Sequence, residues 1–169
     1  MSDILWAPWR MEYITGPKAD GGCVLCRARD AVRDERPKLL VLAARPAAFV
    51  LMNRFPYTHG HIMIVPFRHV AALEALSTEE RDGLFRLVVD AQAALKGALA
   101  SHGVNVGMNL GKVAGAGIDD HLHVHVVPRW DGDTNFMPML ADVRVMPQHL
   151  DDTYAALRAH FAPLEEDAP

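Results

Sequence analysis

Apolar and polar positions follow three rhythms along this chain, and each predicts a different element. Leu39 to Ala43 and Ala47 to Met52 are short apolar runs broken by Arg45-Pro46, the pattern of two strands joined by a turn. After the turn-like stretch Asn53-Arg54-Phe55-Pro56-Tyr57, His61-Ile62-Met63-Ile64-Val65 reads as a third strand that Pro66 ends. The period then changes. Leu84, Val88, Ala91, Leu95 and Leu99 recur every three or four residues, behind a Ser77/Glu80 capping box. This predicts a long helix, and Gly103 stands where a left-handed helix stop is expected.

Val104 to Leu110 and His121 to Val127 read as another strand pair, joined by the glycine-rich link Gly111-Lys112-Val113-Ala114-Gly115-Ala116-Gly117-Ile118. Beyond Pro128 the pattern turns irregular until an amphipathic stretch at about 148–161, and Glu165-Glu166-Asp167 reads as a frayed tail. At the other end, residues 5–22 mix Trp6, Trp9, Met11 and Tyr13 with Pro8, Gly16 and Pro17, as an irregular arm with aromatic anchors does. Cys23-Val24-Leu25-Cys26 reads as a turn, and the charge-rich residues 27–38 as a short helix or loop. This order predicts an α+β fold. It has an antiparallel sheet of about five strands, one long helix and a shorter C-terminal helix.

Composition narrows the classes. A chain of 169 residues, 50% hydrophobic, fits one domain spanning 1–169, with an arm at 1–22 and a C-terminal extension at about 137–169. A formal net charge of -4 argues against wrapping duplex nucleic acid, so an anionic substrate has to be gripped locally. No apolar run approaches the ~20 residues of a membrane helix. The start, Met1-Ser2-Asp3-Ile4-Leu5-Trp6, lacks the regions of a signal peptide, and two cysteines make no disulfide scaffold. A cytoplasmic, reducing setting is expected.

Histidine changes the picture more. The chain has nine, and six fall at 59/61/69 and 121/123/125. In His121-Leu122-His123-Val124-His125-Val126-Val127 the imidazoles alternate with aliphatics, so a strand presents three of them on one face, about 6.5–7 Å apart. Imidazole near neutral pH can act as nucleophile, acid, base or metal ligand. Gly115, Ala116 and Gly117 carry little or no side chain, so their amides can crowd round phosphate oxygens, and Lys112 can add charge. Together these features point to chemistry at phosphorus. His59, His102, His149 and His160 read as turn and helix-end residues without chemistry. Cys23 and Cys26 have the spacing of a zinc half-site, which needs further ligands.

Three histidines alternating with hydrophobics and followed by two more hydrophobics, at His121–Val127, resemble the signature of the histidine triad superfamily. The likeness extends to Asn53–His69 and to Asn109-Leu110-Gly111. Leu5–Met11, Gly107–Gly111 and His125–Trp130 with Asn135-Phe136 are similar to the bacterial diadenosine tetraphosphate phosphorylase, or ATP adenylyltransferase-like, branch. The resemblance implies that His123 attacks the α-phosphorus of an adenosine polyphosphate, giving a nucleotidyl-histidine. It implies that His125 binds phosphate oxygens and protonates the leaving group, and that Asn109 and the backbone at 115–118, including Ile118, stabilise the oxyanion. Asn53 and His61 are implied to face the ribose and the catalytic strand, and Trp130 to lie among the substrate contacts. Relatives with zinc use positions matching His69 and His121, which with Cys23 and Cys26 imply a closed structural Cys2His2 zinc site. The resemblance further implies a homodimer with the long helix near its interface. It leaves open phosphorolysis, hydrolysis of a dinucleoside polyphosphate or a nucleoside phosphoramidate, and a non-catalytic nucleotide sensor.

Overall fold

The computed structural model describes residues 22–31, 34–133 and 148–161. The residues at 1–21, with Trp6 and Trp9, those at 134–147, with Asn135 and Phe136, and those at 162–169 lie outside the described residues. Five strands form one sheet: β1 (Val41–Ala44), β2 (Ala48–Met52), β3 (Ile62–Pro66), β4 (Gly103–Gly107) and β5 (Val124–Arg129). Their order is β1-β2-β3-β5-β4, and every neighbouring pair is antiparallel. A short helix α1 (Val24–Arg29) precedes the sheet, α2 (Thr78–Leu99) connects β3 to β4, and α3 (Leu150–Phe161) follows it. This is the expected α+β arrangement. Among the described residues no helix is long and apolar enough to cross a membrane.

The alternation of side chains sorts the sheet into two unlike faces. Val50, Met52, Ile62, Ile64, Val124 and Val126 join Leu84, Leu87, Ala91 and Leu95 of α2, with Leu157 and Phe161 of α3, in the larger core. Phe49, Leu51, Met63 and Val65 point the other way, onto Leu25 and Ala28 of α1. The register is tight here: Met63 is paired with His125, and Ile64 with Val124. His123 and His125 therefore emerge on the α1 face. The Tyr154 hydroxyl donates to the Val41 carbonyl at 2.9 Å, tying α3 to the sheet edge. Gly97 lets the helices meet, since a Cβ there would come within 2.8 Å of the His160 ring.

Three expectations are corrected. Cys23-Val24-Leu25-Cys26 is not a free turn: Cys23 is the N-cap of α1, and Cys26 lies inside that helix. β5 begins at Val124 instead of His121, so His121 and His123 precede the strand, and it runs through Pro128 to Arg129; pairing with β3 ends at Val126, so the missing N–H of Pro128 falls past the last β3 partner. The residue that stops α2 is Ala100, with φ 50 and ψ 38, while Gly103 opens β4. The start of α2 does follow its sequence: Glu80 N donates to the Ser77 hydroxyl at 3.2 Å, and Ser77 N donates to the Glu80 carboxylate at 2.7 Å. Arg68 and this hydrogen bond hold the Glu80 carboxyl down at about 2.

An alanine in the left-handed region carries a Cβ penalty that glycine does not. Ala100 is solvent-exposed, so burial of its methyl group does little to offset that penalty. Ala100→Gly is therefore expected to raise stability by roughly 0.5–1 kcal/mol, read as a higher urea midpoint with unchanged slope.

Candidate active site and metal cluster

The α1 face of the sheet holds a cavity of about 230 Å³. Its polar lining includes Asn53, Tyr57, Asn109, His123 and His125, with the loop residues Gly117 and Ile118. Its apolar lining comes from Val24 and Leu25 of α1, from Leu39 and Leu51, and from Phe55. Arg27 and Arg54 also border it, and no carboxylate side chain is among the described lining residues.

Hydrogen bonds set the state of each imidazole. His123 Nδ1 lies 2.9 Å from the His121 carbonyl, an acceptor only, so Nδ1 carries the proton and Nε2 keeps its lone pair. Burial pushes the His123 pKa below the ordinary imidazole value, and the carbonyl contact offsets this only in part. A neutral ring with a lone pair at Nε2 is a nucleophile. His61 is buried, and its Nδ1 accepts the Tyr57 amide at 3.1 Å, with Asn53 Nδ2 a second donor at 3.4 Å. His61 Nε2 therefore donates to His125 Nδ1 at 3.0 Å, which sets the neutral His125 proton on Nε2. Tyr57 covers the pair, its ring centroid 4.6 Å from His61 and 5.5 Å from His125. Asn53 is fixed in turn by accepting the Phe55 amide at 2.9 Å. The site thus offers a neutral nitrogen nucleophile beside a histidine with a proton to give.

His121 is turned to another task. Its Nε2 lies 3.0 Å from the Pro66 carbonyl, so Nε2 is the protonated nitrogen and Nδ1 presents a lone pair. That atom lies 3.4 Å from Cys23 Sγ and 3.5 Å from Cys26 Sγ, and His69 Nδ1 is 3.2 Å from Cys26 Sγ. The four donor atoms all lie within 4.8 Å of one another. Tetrahedral zinc with ordinary Zn–S and Zn–N bonds holds sulfur and nitrogen about 3.5 Å apart, so the donor set fits such an ion. Around it, Pro66 orients His121, and the Asp120 carboxylate stands 3.8 Å from His69 Nε2. Burial and then the neighbouring Cys23 push the Cys26 thiol up, which a cation between the sulfurs reverses.

Other expected contacts are not brought together. Lys112 points away from the cavity, with Nζ 3.9 Å from Asp119 and its side chain 81% exposed. The Gly115 amide is committed to the Lys112 carbonyl at 3.0 Å, closing a 3-10 turn at Lys112–Ala114, and neither Gly115 nor Ala116 lines the cavity. Of the glycine-rich link only Gly117 and Ile118 reach it. Trp130 lies past the far end of β5, donating Nε1–H to the Leu99 carbonyl at 3.1 Å and standing 6.0 Å from the His59 ring. Burial lowers the His59 pKa. Tyr57 is a site residue that no motif marks; its place between Asn53 and His61 in the chain is the available signal.

This arrangement of fold and imidazoles is that of a known family. The HIT domain family matches residues 33–132, and the chain belongs to it. The chain is 39% identical over 165 residues to a Mycobacterium tuberculosis protein named AP-4-A phosphorylase, covering 94% of this chain and 84% of that one. It is 34% identical over 87 residues to the asymmetrical bis(5'-nucleosyl)-tetraphosphatase of Schizosaccharomyces pombe, covering 52% of this chain and 46% of that one. Among solved structures, a Zn-bound histidine triad family protein from Mycobacterium smegmatis superposes with a TM-score of 0.65 at 28% identity, covering 85% of this chain and 95% of that one.

Elemental analysis of protein purified without chelator is expected to find about one divalent metal ion per chain. Replacing Cys23 and His69 together by alanine is expected to remove it. Unchanged metal content in that double variant would rule out the cluster as the site.

Proposed function

We propose that this HIT-family chain is a nucleotidyltransferase that cleaves dinucleoside polyphosphates of the diadenosine tetraphosphate kind by phosphorolysis. The observation that carries the reading is the His123 geometry: a buried, neutral imidazole pinned through Nδ1, with Nε2 left as nucleophile in a cavity that His125 shares. The 39% identity to AP-4-A phosphorylase over nearly the whole chain supports the substrate class and the phosphate acceptor.

In this reading His123 Nε2 attacks the α-phosphorus, a P–N bond forms, and the P–O bond to the leaving polyphosphate breaks. His125 Nε2–H donates a hydrogen bond to the leaving oxygen, so the polyphosphate departs as an anion, and the His61 Nε2–H bond to His125 Nδ1 holds that ring in the donating tautomer. Asn109 and the chain at Gly117 and Ile118 border the reacting phosphate, while the apolar lining takes the base. Inorganic phosphate then displaces histidine from phosphorus and leaves as a nucleoside diphosphate. Water in its place gives hydrolysis, a second reading that the likeness to the asymmetrical tetraphosphatase supports.

The metal is read as zinc, held by Cys23, Cys26, His69 and His121 in a closed structural site; the likeness to a Zn-bound relative supports this. The chain is also read as a cytoplasmic homodimer. β4 is an edge strand with Val106 45% exposed, and α2 presents Phe85 and Val89 at 49% and 67%.

Product analysis decides between acceptors. Diadenosine tetraphosphate with inorganic phosphate is expected to yield adenosine diphosphate and triphosphate, with an adenylylated protein trapped in wild type and absent from His123→Ala. Products indifferent to added phosphate would overturn the phosphorolytic half. His125→Ala is expected to lower kcat by about 10²–10⁴-fold, and a substrate with a better leaving group to recover much of that loss.

A further inference from the structure

The helix that carries the two thiols also walls the cavity. Cys23 and Cys26 turn toward His69 and His121, whereas Val24, Leu25 and Ala28 of the same helix line the cavity shared with His123 and His125. A helix of six residues has little stability of its own, and Cys23 gives no side-chain hydrogen bond as its N-cap. Its position is set from outside. Leu25 and Ala28 pack on Phe49, Leu51, Met63 and Val65, and the Arg29 guanidinium donates to the Phe67 carbonyl at 2.9 Å. A further constraint is the thiol pair, with sulfurs 3.2–3.5 Å from the ring nitrogens of His69 and His121. A second link runs through the backbone, since the His121 carbonyl accepts His123 Nδ1–H.

We propose that Cys23 and Cys26 are positioning residues of the nucleotide site: metal held by the Cys2His2 cluster sets the α1 wall, so metal and nucleotide occupancy are linked. The proposal rests on the reading that the cavity takes a nucleotide. Because α1 is common to both sites, ordering it once serves both ligands, and whichever binds first spares the other that cost. Linkage is reciprocal: the factor by which metal tightens nucleotide binding equals the factor by which nucleotide tightens metal. A metal that only adds global stability makes a different prediction. It shifts the melting temperature and leaves the nucleotide affinity of folded, metal-free protein unchanged.

The test uses the zinc-loaded chain, adenosine monophosphate and a chromophoric chelator. Saturating adenosine monophosphate is expected to reduce equilibrium zinc transfer to the chelator by about fivefold or more. Zinc-free protein, its sheet and helices verified by circular dichroism, is expected to bind adenosine monophosphate more weakly by the same factor. Leu25→Ala leaves all four ligands in place and removes the side chain that joins thiols to wall, so it is expected to keep zinc and cut the linkage below about twofold. The zinc-transfer measurement needs only folded holoprotein, so it stands if stripped protein does not fold. His123→Ala removes the second link and leaves the α1 residues in place, so the part of the linkage carried by α1 is expected to persist. Equal zinc transfer with and without adenosine monophosphate, in a protein that binds both, overturns the linkage and leaves the catalytic reading intact. Failure of the zinc-loaded protein to bind adenosine monophosphate overturns the nucleotide reading and this proposal with it.

Discussion

Everything at the site depends on the burial of one side of the segment 121–127. Leu122, Val124 and Val126 are between 0% and 4% exposed and lie in the core beneath α2. Fully burying an aliphatic of this size contributes roughly 1.5–3 kcal/mol, against about 1 kcal/mol net for an imidazole hydrogen bond. The apolar side therefore fixes the register, and the histidines follow it. A slip of one residue would exchange the two sides, placing three imidazoles in the core and three aliphatics in the cavity. Pairing of Met63 with His125 and Ile64 with Val124 holds the same choice from the neighbouring strand.

His121 stands where the two halves of the site meet. Its ring belongs to the thiol cluster and its carbonyl belongs to His123. The segment that reaches the cluster, Pro66 to His69, begins at the end of β3, the strand that also pairs with His125. The β3–β5 pair thus anchors the two flanking segments that carry His69, His121 and His123. α1, resting on Met63 and Val65 from the same face, adds the third side.

The sequence made the strands, the long helix and the triad legible because each has a period that backbone geometry converts directly into a face. The capping box of Ser77 and Glu80 was legible for the same reason, since both partners lie within one turn. What escaped depends on contacts between distant segments. Nothing local in Cys23-Val24-Leu25-Cys26 reports that a helix forms there, because its stabilisation comes from Phe49, Leu51 and two histidines far along the chain. Gly103 was the better intrinsic helix stop, yet Ala100 takes the left-handed turn so that Ser101 is buried and His102 N reaches the Arg129 carbonyl at 2.9 Å. The glycine-rich link has the composition of one phosphate nest, but a 3-10 turn consumes its middle and leaves only Gly117 and Ile118 on the cavity.

A row of evenly spaced histidines suggests equivalent groups, and the hydrogen bonds assign them three different settings. The Pro66 carbonyl accepts from His121 Nε2–H, which leaves the Nδ1 lone pair facing the thiol cluster. The His121 carbonyl accepts from His123 Nδ1–H, which leaves a lone pair on Nε2. His125 accepts at Nδ1 from His61, which places its proton at Nε2 for donation. Two backbone carbonyls and one buried histidine therefore give chemically identical side chains three different settings: a lone pair at Nδ1, a lone pair at Nε2 and a proton at Nε2. No composition or spacing rule can supply that division, because it lives in the partners of the ring nitrogens. The setting of His125 comes from His61, which the chain places 60 residues before His121 and which the β3–β5 pairing brings beside it.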